Sequence, residues 1–320
     1  MTANKISFAK ITRHPLFAGF TVFSVVLIIN AILDPRFFAA HTIYGNLWVV
    51  TPIIIATMAQ GIVILSGSID LSIGASISLM NCLLAVLLKD SAGSVIGGLM
   101  LSLVIMLAIS CLNGVLVAYF RLPSMVATFA VSTMLSGITL LVLSTPGGYI
   151  PGWLPFGYSI RFFGLVPITV FILLLVGLIW YSISRTKLGR YFYAVGGNEA
   201  AAASSGINAK RTKVYAFMCS GFFIWLAAVC VTGQTGAGDF RLGAPYTLTT
   251  IAAAIMGGVA LSGGKGKILG AALGGCVMIF ITNIIYWARI PSFYQDMIRG
   301  LIVIIVLCIA AIPQMKSRTV

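Results

Sequence analysis

The sequence predicts an all-α polytopic membrane protein of about ten transmembrane helices, some broken or short, arranged as two repeated halves. Three observations predict it. First, 60% of the 320 residues are apolar, enough for roughly ten crossings at about 20 residues each. Second, only 8% are charged, against about a quarter in a soluble domain. Third, the apolar residues fall in long continuous runs, not in the alternating ten-residue segments of a barrel. A water-soluble globule and a disordered chain are both excluded.

The runs can be taken in order. Lys5, Lys10 and Arg13 precede the first, about 15–33. It is too long for the apolar part of a signal peptide and has no small-residue cleavage site, so it reads as a span. Others follow at about 43–65, 71–88, 94–118, 123–144, 162–183, 214–234, 246–262, 268–288 and 293–312. The runs at 71–88 and 246–262 are short and are expected to be broken or recessed helices. Residues 1–14 and 313–320 flank the transmembrane domain expected over 15–312.

Sidedness follows from charge. With a cytoplasmic N-terminus, Lys5, Lys10, Arg13, Arg121, Arg185, Lys187, Arg190, Lys210, Arg211, Lys213, Lys265, Lys267, Lys316 and Arg318 share one face with Asp70 and Glu199. That face carries +12 and the other carries +2, out of a total of +14. Basic residues concentrate on the cytoplasmic side of membrane proteins, so both termini are expected inside. The charge thus records orientation in the lipid bilayer and not an affinity for nucleic acid.

The polar stretch 184–213 is the longest outside the spans. Six basic residues flank a middle of Ala, Ser and Gly. Asn198 can cap a short helix, with Glu199 in its first turn and Gly206 as its stop. Such a small, Ala-rich helix suits docking to another protein. A faint repeat is also visible, because Leu65-Ser66-Gly67 and Gly74-Ala75 recur as Leu261-Ser262-Gly263 and Gly270-Ala271. Repeated halves with interrupted helices are common in transporters.

Reactive chemistry is scarce. The six cysteines lie within apolar stretches and form no Cys-x-x-Cys pair, which suits packing and not a metal or disulfide framework. His14 and His41 lie outside the spans, and no Gly-x-Ser-x-Gly occurs. Gly236-Ala237-Gly238-Asp239 matches one half of an intramembrane aspartyl protease motif, but the partner Tyr-Asp is missing. Ser262-Gly263-Gly264-Lys265-Gly266-Lys267 lacks the first glycine and the hydroxyl of a phosphate loop, and reads as a tight turn between spans. No metal or cofactor is called for.

Ionisable residues near the membrane are few. Asp296 and Arg299 can neutralise each other at i, i+3. Asp70 can cap the helix that follows it or act directly in the pathway. A gradient-driven carrier is disfavoured by this scarcity. Neutral polar residues are plentiful instead: Asn30, Gln60, Asn81, Asn113, Thr128, Ser132, Thr250, Thr282 and Asn283. A subset facing one cavity suits a neutral polyhydroxylated solute, and Asp70, Ser72, Asn81, Asn113 and Thr128 are the expected pathway residues.

Four motifs then carry a resemblance. Gly67-Ser68-Ile69-Asp70-Leu71-Ser72-Ile73-Gly74 is similar to a Gly-Gly-Ile-Asp-Leu-Ser-Val-Gly element, and Leu122-Pro123-Ser124 with Ala127-Thr128 to a Leu-Pro-Ser/Pro…Ala-Thr element. Thr186–Arg190, Tyr193–Glu199 and Ser205–Ile207 form the most specific match, and Ser262–Gly266 with Gly270 completes the set. The chain resembles the membrane permease subunit of bacterial ABC importers of the monosaccharide (ribose) type. The resemblance implies a separate ATPase docked near Gly197, Asn198, Glu199, Ala201 and Gly206. It also implies a periplasmic sugar-binding protein, a second permease copy or paralogue, and the bacterial inner membrane. Ala200 stands where the family has a second Glu, and Ser68 where it has Gly. A nucleoside or furanosyl signalling molecule stays open as the solute.

Overall fold

A computed structural model describes residues 15–291 and, beyond them, residues 294, 295, 297, 298, 300, 301 and 304. The segments 1–14 and 313–320, most of the run at 293–312, and the Asp296–Arg299 pair lie outside the described residues.

Helix α1 (Pro15–Leu33) opens with proline at its first position, where no backbone donor is needed. Asn30 ties it to the rest of the bundle, donating to the Val26 carbonyl (2.9 Å) and to that of Phe280 (3.0 Å). Helix α2 (Ala40–Leu65) is the central pillar, with nearly every residue from Val50 to Leu65 buried. Helix α3 (Ile73–Leu87) follows and is buried along most of its length. Helices α4 (Ala92–Ala118) and α5 (Ser124–Val142) follow.

Two elements escape the sequence reading. A short helix, α6 (Trp153–Ser159), plugs against α2, where Tyr158 donates its hydroxyl to the Trp48 carbonyl (3.0 Å). The run expected at 162–183 begins as a two-residue hairpin, β1 (Arg161–Phe162) against β2 (Val166–Pro167), and becomes helix α7 (Ile168–Arg185) only after Pro167. The turn at Gly164 and the missing donor of Pro167 delay the helix start.

Residues 184–213 were expected to be a polar loop with one short helix. They form two helices, α8 (Lys187–Gly197) and α9 (Glu199–Ser204), and the first residues of a third. Phe192 and Val195 anchor α8 in the core, which polarity alone did not reveal. Helix α10 (Ala209–Thr235) then packs between α2 and α4. Its Trp225 donates to the Ser102 hydroxyl of α4 at 2.9 Å. Helices α11 (Tyr246–Met256) and α12 (Ile268–Trp287) complete the described elements.

Six of these helices are long and apolar enough to cross a membrane: α2, α4, α5, α7, α10 and α12. The 15 residues of α3 and 11 of α11 reach only about 22 and 16 Å, short of the ~30 Å hydrocarbon core. Both continue into irregular backbone, at 66–72 and 257–267, as their short runs led us to expect. Such backbone is tolerated at membrane depth where protein surrounds it. Apolar side chains point outward from α4, α5 and α7, with Val104, Leu141 and Leu178 each more than half exposed, a surface suited to lipid. The five described cysteines are all free.

Candidate functional site

Between α2 and α3 the chain leaves the helical path for seven residues, and the site is built around that break. Asp70 accepts two hydrogen bonds through Oδ1, from the Ser72 amide (2.7 Å) and the Ser72 hydroxyl (2.6 Å). This corrects the capping role expected of Asp70. Helix α3 begins at Ile73 with Ser72 as its flanking residue and no side-chain cap. Asp70 instead closes an Asx-type turn onto Ser72.

Two helices clamp this turn. From α4, Asn113 Nδ2 donates to the Ser72 hydroxyl (2.8 Å). From the first two turns of α5, Thr128 Oγ1 accepts the Leu71 amide (2.9 Å), and Ser124 Oγ accepts the Ile69 amide (3.1 Å). Ser124 and Thr128 stand four residues apart on one helical face. Asp70, Ser72, Asn113 and Thr128 therefore form one network, and none is more than 1% exposed.

Asn81 is not part of it. It lies two turns along α3, donating to Thr232 Oγ1 (3.0 Å) and the Ala237 carbonyl (3.1 Å) and accepting the Asp239 amide (2.8 Å). It fixes the segment after α10. Nearby, Ser78 Oγ accepts the Gly243 amide at 2.9 Å.

A cavity of about 410 Å³ lies beside the break, between α3, α5 and the segment leading into α11. Ser78, Ser132, Ser136 and Thr247 contribute hydroxyl-bearing side chains to its lining, and Phe129 and Phe240 contribute rings. No charged side chain lines it. None of the five expected pathway residues lines it either. Their buried hydrogen bonds hold its walls, while Ser132, one of the neutral polar residues noted in the sequence, faces the space directly. The i, i+4 serines of α5 were a readable signal. Phe240 was not, because it enters from a connection, while Thr247 comes from the first turn of α11.

The opposite side of the break meets α8. The amide of Gly264 donates to the Leu65 carbonyl at the end of α2 (3.0 Å). A Cβ on Gly196 would collide with that same oxygen. A Cβ on Gly263 would lie 2.7 Å from the Gly196 carbonyl and 2.8 Å from Gly67 Cα. Both Leu-Ser-Gly segments of the faint repeat and the end of α8 thus touch through bare backbone.

Beyond this junction stands α9. Asn198 Oδ1 accepts the Ala201 amide (2.9 Å) as its N-cap. At the other end Gly206 has φ 79°, and the amides of Ile207 and Gly206 donate to the carbonyls of Ala202 and Ala203, a Schellman stop. This is the short capped helix expected from 198–206. Ala202 packs inward against Val195 and Ala209, while Gly197, Asn198, Glu199, Ala201 and Gly206 are exposed. Glu199 pairs with Lys213 of α10.

The geometry joins an uncharged cavity to an exposed helix through one helix break. Similarity to known proteins agrees with a transport role. The chain is 32% identical to the ribose import permease protein of Bacillus subtilis over 88% of each chain. It is 28% identical to the D-allose transport system permease protein of Escherichia coli, over 90% of this chain and 89% of that one. It is 30% identical to the autoinducer 2 import system permease protein of Salmonella choleraesuis, over 86% and 79% respectively. No solved structure matches. Residues 43–307 match the family described as the branched-chain amino acid transport system / permease component, and the chain belongs to that family of membrane permeases.

Proposed function

We propose that this chain is the permease subunit of an ATP-binding-cassette importer, carrying a monosaccharide or similar neutral polyhydroxylated solute from periplasm to cytoplasm. The cavity beside the 66–72 break is the observation that carries this reading. Its hydroxyls can exchange hydrogen bonds with sugar hydroxyls, its two rings offer apolar faces, and it holds no charge that a neutral solute would leave unpaired. The similarities to ribose, D-allose and autoinducer 2 permeases support the same class.

The chain makes and breaks no bonds and has no ATPase motif of its own, so the energy comes from a separate ATPase. That subunit engages α9 and the end of α8, on the cytoplasmic side with both termini, in the bacterial inner membrane. A periplasmic binding protein delivers the solute. A second copy or paralogue closes the open side of the cavity. Two repeated halves and ten spans fit the meeting of the two Leu-Ser-Gly segments, each at a helix break. Asp70, Ser72, Asn113 and Thr128 set the shape of the break, and the α3–α5 cavity touches the solute.

The test is ATP hydrolysis by the reconstituted complex of permease and ATPase. Sugar-loaded binding protein is expected to stimulate it, and Ala201→Leu to remove the stimulation while the permease still elutes as a folded species. Hydrolysis indifferent to the loaded binding protein would contradict the reading.

A further inference from the structure

A second cavity, of about 370 Å³, opens on the other flank of the glycine junction, where α4 ends, α5 begins and α9 faces α10. Arg121, Lys210 and Lys213 line it, with Glu199 as the single carboxylate. Three cations against one acid leave two net positive charges in one concave space. Glu199 is already paired with Lys213. No acid pairs with Arg121 or Lys210 among the described residues, and the Lys210 ammonium rests over the Tyr119 ring at 5.5 Å.

Three further observations point to an anion. Arg121 holds φ 55° in the connection between α4 and α5, a left-handed conformation that a bulky L-residue disfavours. The cavity receives the first residue of α5 (Ser124) and the first turns of α10 (Lys210, Lys213). Helices of 19 and 27 residues thus bring their partially positive N-termini to the same space. Ser68, only 3% exposed, also lines it, and its hydroxyl has no hydrogen-bond partner among the described residues.

We infer that this cleft binds a phosphate monoester dianion. Two net charges match the dianion, and an arginine fork with two lysines and two hydroxyls matches its three oxygens. The volume exceeds that of the bare phosphate and admits a monosaccharide-sized substituent. A bound dianion competes with Glu199 for Lys213, the ion pair that holds α9 to α10. Resting on the coupling role proposed above, occupancy therefore loosens the helix that the ATPase grips.

The experiment is calorimetric titration of the full-length chain, without its ATPase, in nanodiscs of phosphatidylcholine. The probes are a pentose 5-phosphate, inorganic phosphate and the uncharged pentose. Both phosphates are expected to bind, with the uncharged pentose unable to displace them. Arg121→Gly, which suits the φ at that position, and Lys210→Gln should each weaken binding about tenfold. Glu199→Gln, which frees Lys213, should tighten it. Discs containing phosphatidic acid separate the sources. Loss of soluble binding there assigns the ligand as a lipid headgroup, and unchanged binding assigns it as a soluble ester. No binding in either disc, or affinities indifferent to all three substitutions, would overturn the site. Because no ATPase is present, such a failure is distinct from a failure of the coupling role.

Discussion

The carbonyl oxygen of Leu65 fills the space that a side chain on Gly196 would need. The end of the central pillar α2 and the end of α8 are therefore in backbone contact, with the Gly264 amide bonded to the same oxygen. A displacement of α8 cannot be absorbed here by a side-chain rotation. It passes to the 66–72 break on one side and to the 257–267 turn on the other.

Substitution at Gly196 should show this. Gly196→Ala forces α8 away from Leu65 and is expected to cost about 1–3 kcal/mol, the usual range for overpacking. Solute-stimulated ATP hydrolysis should fall together with stability. Gly177→Ala in α7 is the control, because its Cβ would meet nothing within 4 Å. Thermal unfolding and ATPase assays on both variants should separate them.

At α9 the expectation differs. Gly206→Ala meets open space but places a side chain at φ 79°, a cost of about 1–2 kcal/mol. Replacement by Asn, which tolerates that conformation better, should recover part of the loss. The unfolding midpoint of the two variants checks the order.

The two asparagines of the interior should also differ. Among the described residues the Asn113 side chain makes one hydrogen bond, to Ser72, and its Oδ1 has no partner. Asn81 makes three, all to the segment around α10 and its exit. By the cost of leaving buried polar groups unpaired, Asn113→Ala should lose about 1 kcal/mol and Asn81→Ala about 2–3 kcal/mol. Transport kinetics should respond to Asn113→Ala through the shape of the break. Unaltered kinetics for both would leave these residues as packing alone.

In the cavity, Ser132→Leu fills space between α3 and α5 and should reduce uptake about tenfold or more with little effect on folding. Phe240→Ala removes an apolar face and should raise the KM for uptake more than it lowers the maximal rate. Initial-rate uptake assays against solute concentration distinguish the two.

Much of this architecture was legible in the chain. Long apolar runs marked α1, α2, α4, α5, α10 and α12 within a few residues, because membrane helices need continuous apolarity whatever their tertiary partners. The short runs at 71–88 and 246–262 flagged α3 and α11, and Asn198 and Gly206 marked the ends of α9 through local backbone chemistry. Other features depend on contacts distant in sequence. Phe192 anchors α8 because the core comes to meet it, and nothing in the polar stretch around it says so. Asn81 and Asn113 looked alike as neutral residues in spans, yet they serve different helices. Phe240 reaches the cavity from a connection with no periodicity to read.

The most direct measurement is solute uptake into proteoliposomes that hold the permease, its ATPase and internal ATP, with the binding protein outside and the proton gradient collapsed by an uncoupler. Uptake is expected to continue under these conditions and to stop when ATP is replaced by a non-hydrolysable analogue. Uptake that follows an imposed proton gradient and ignores ATP would contradict an ATP-driven permease.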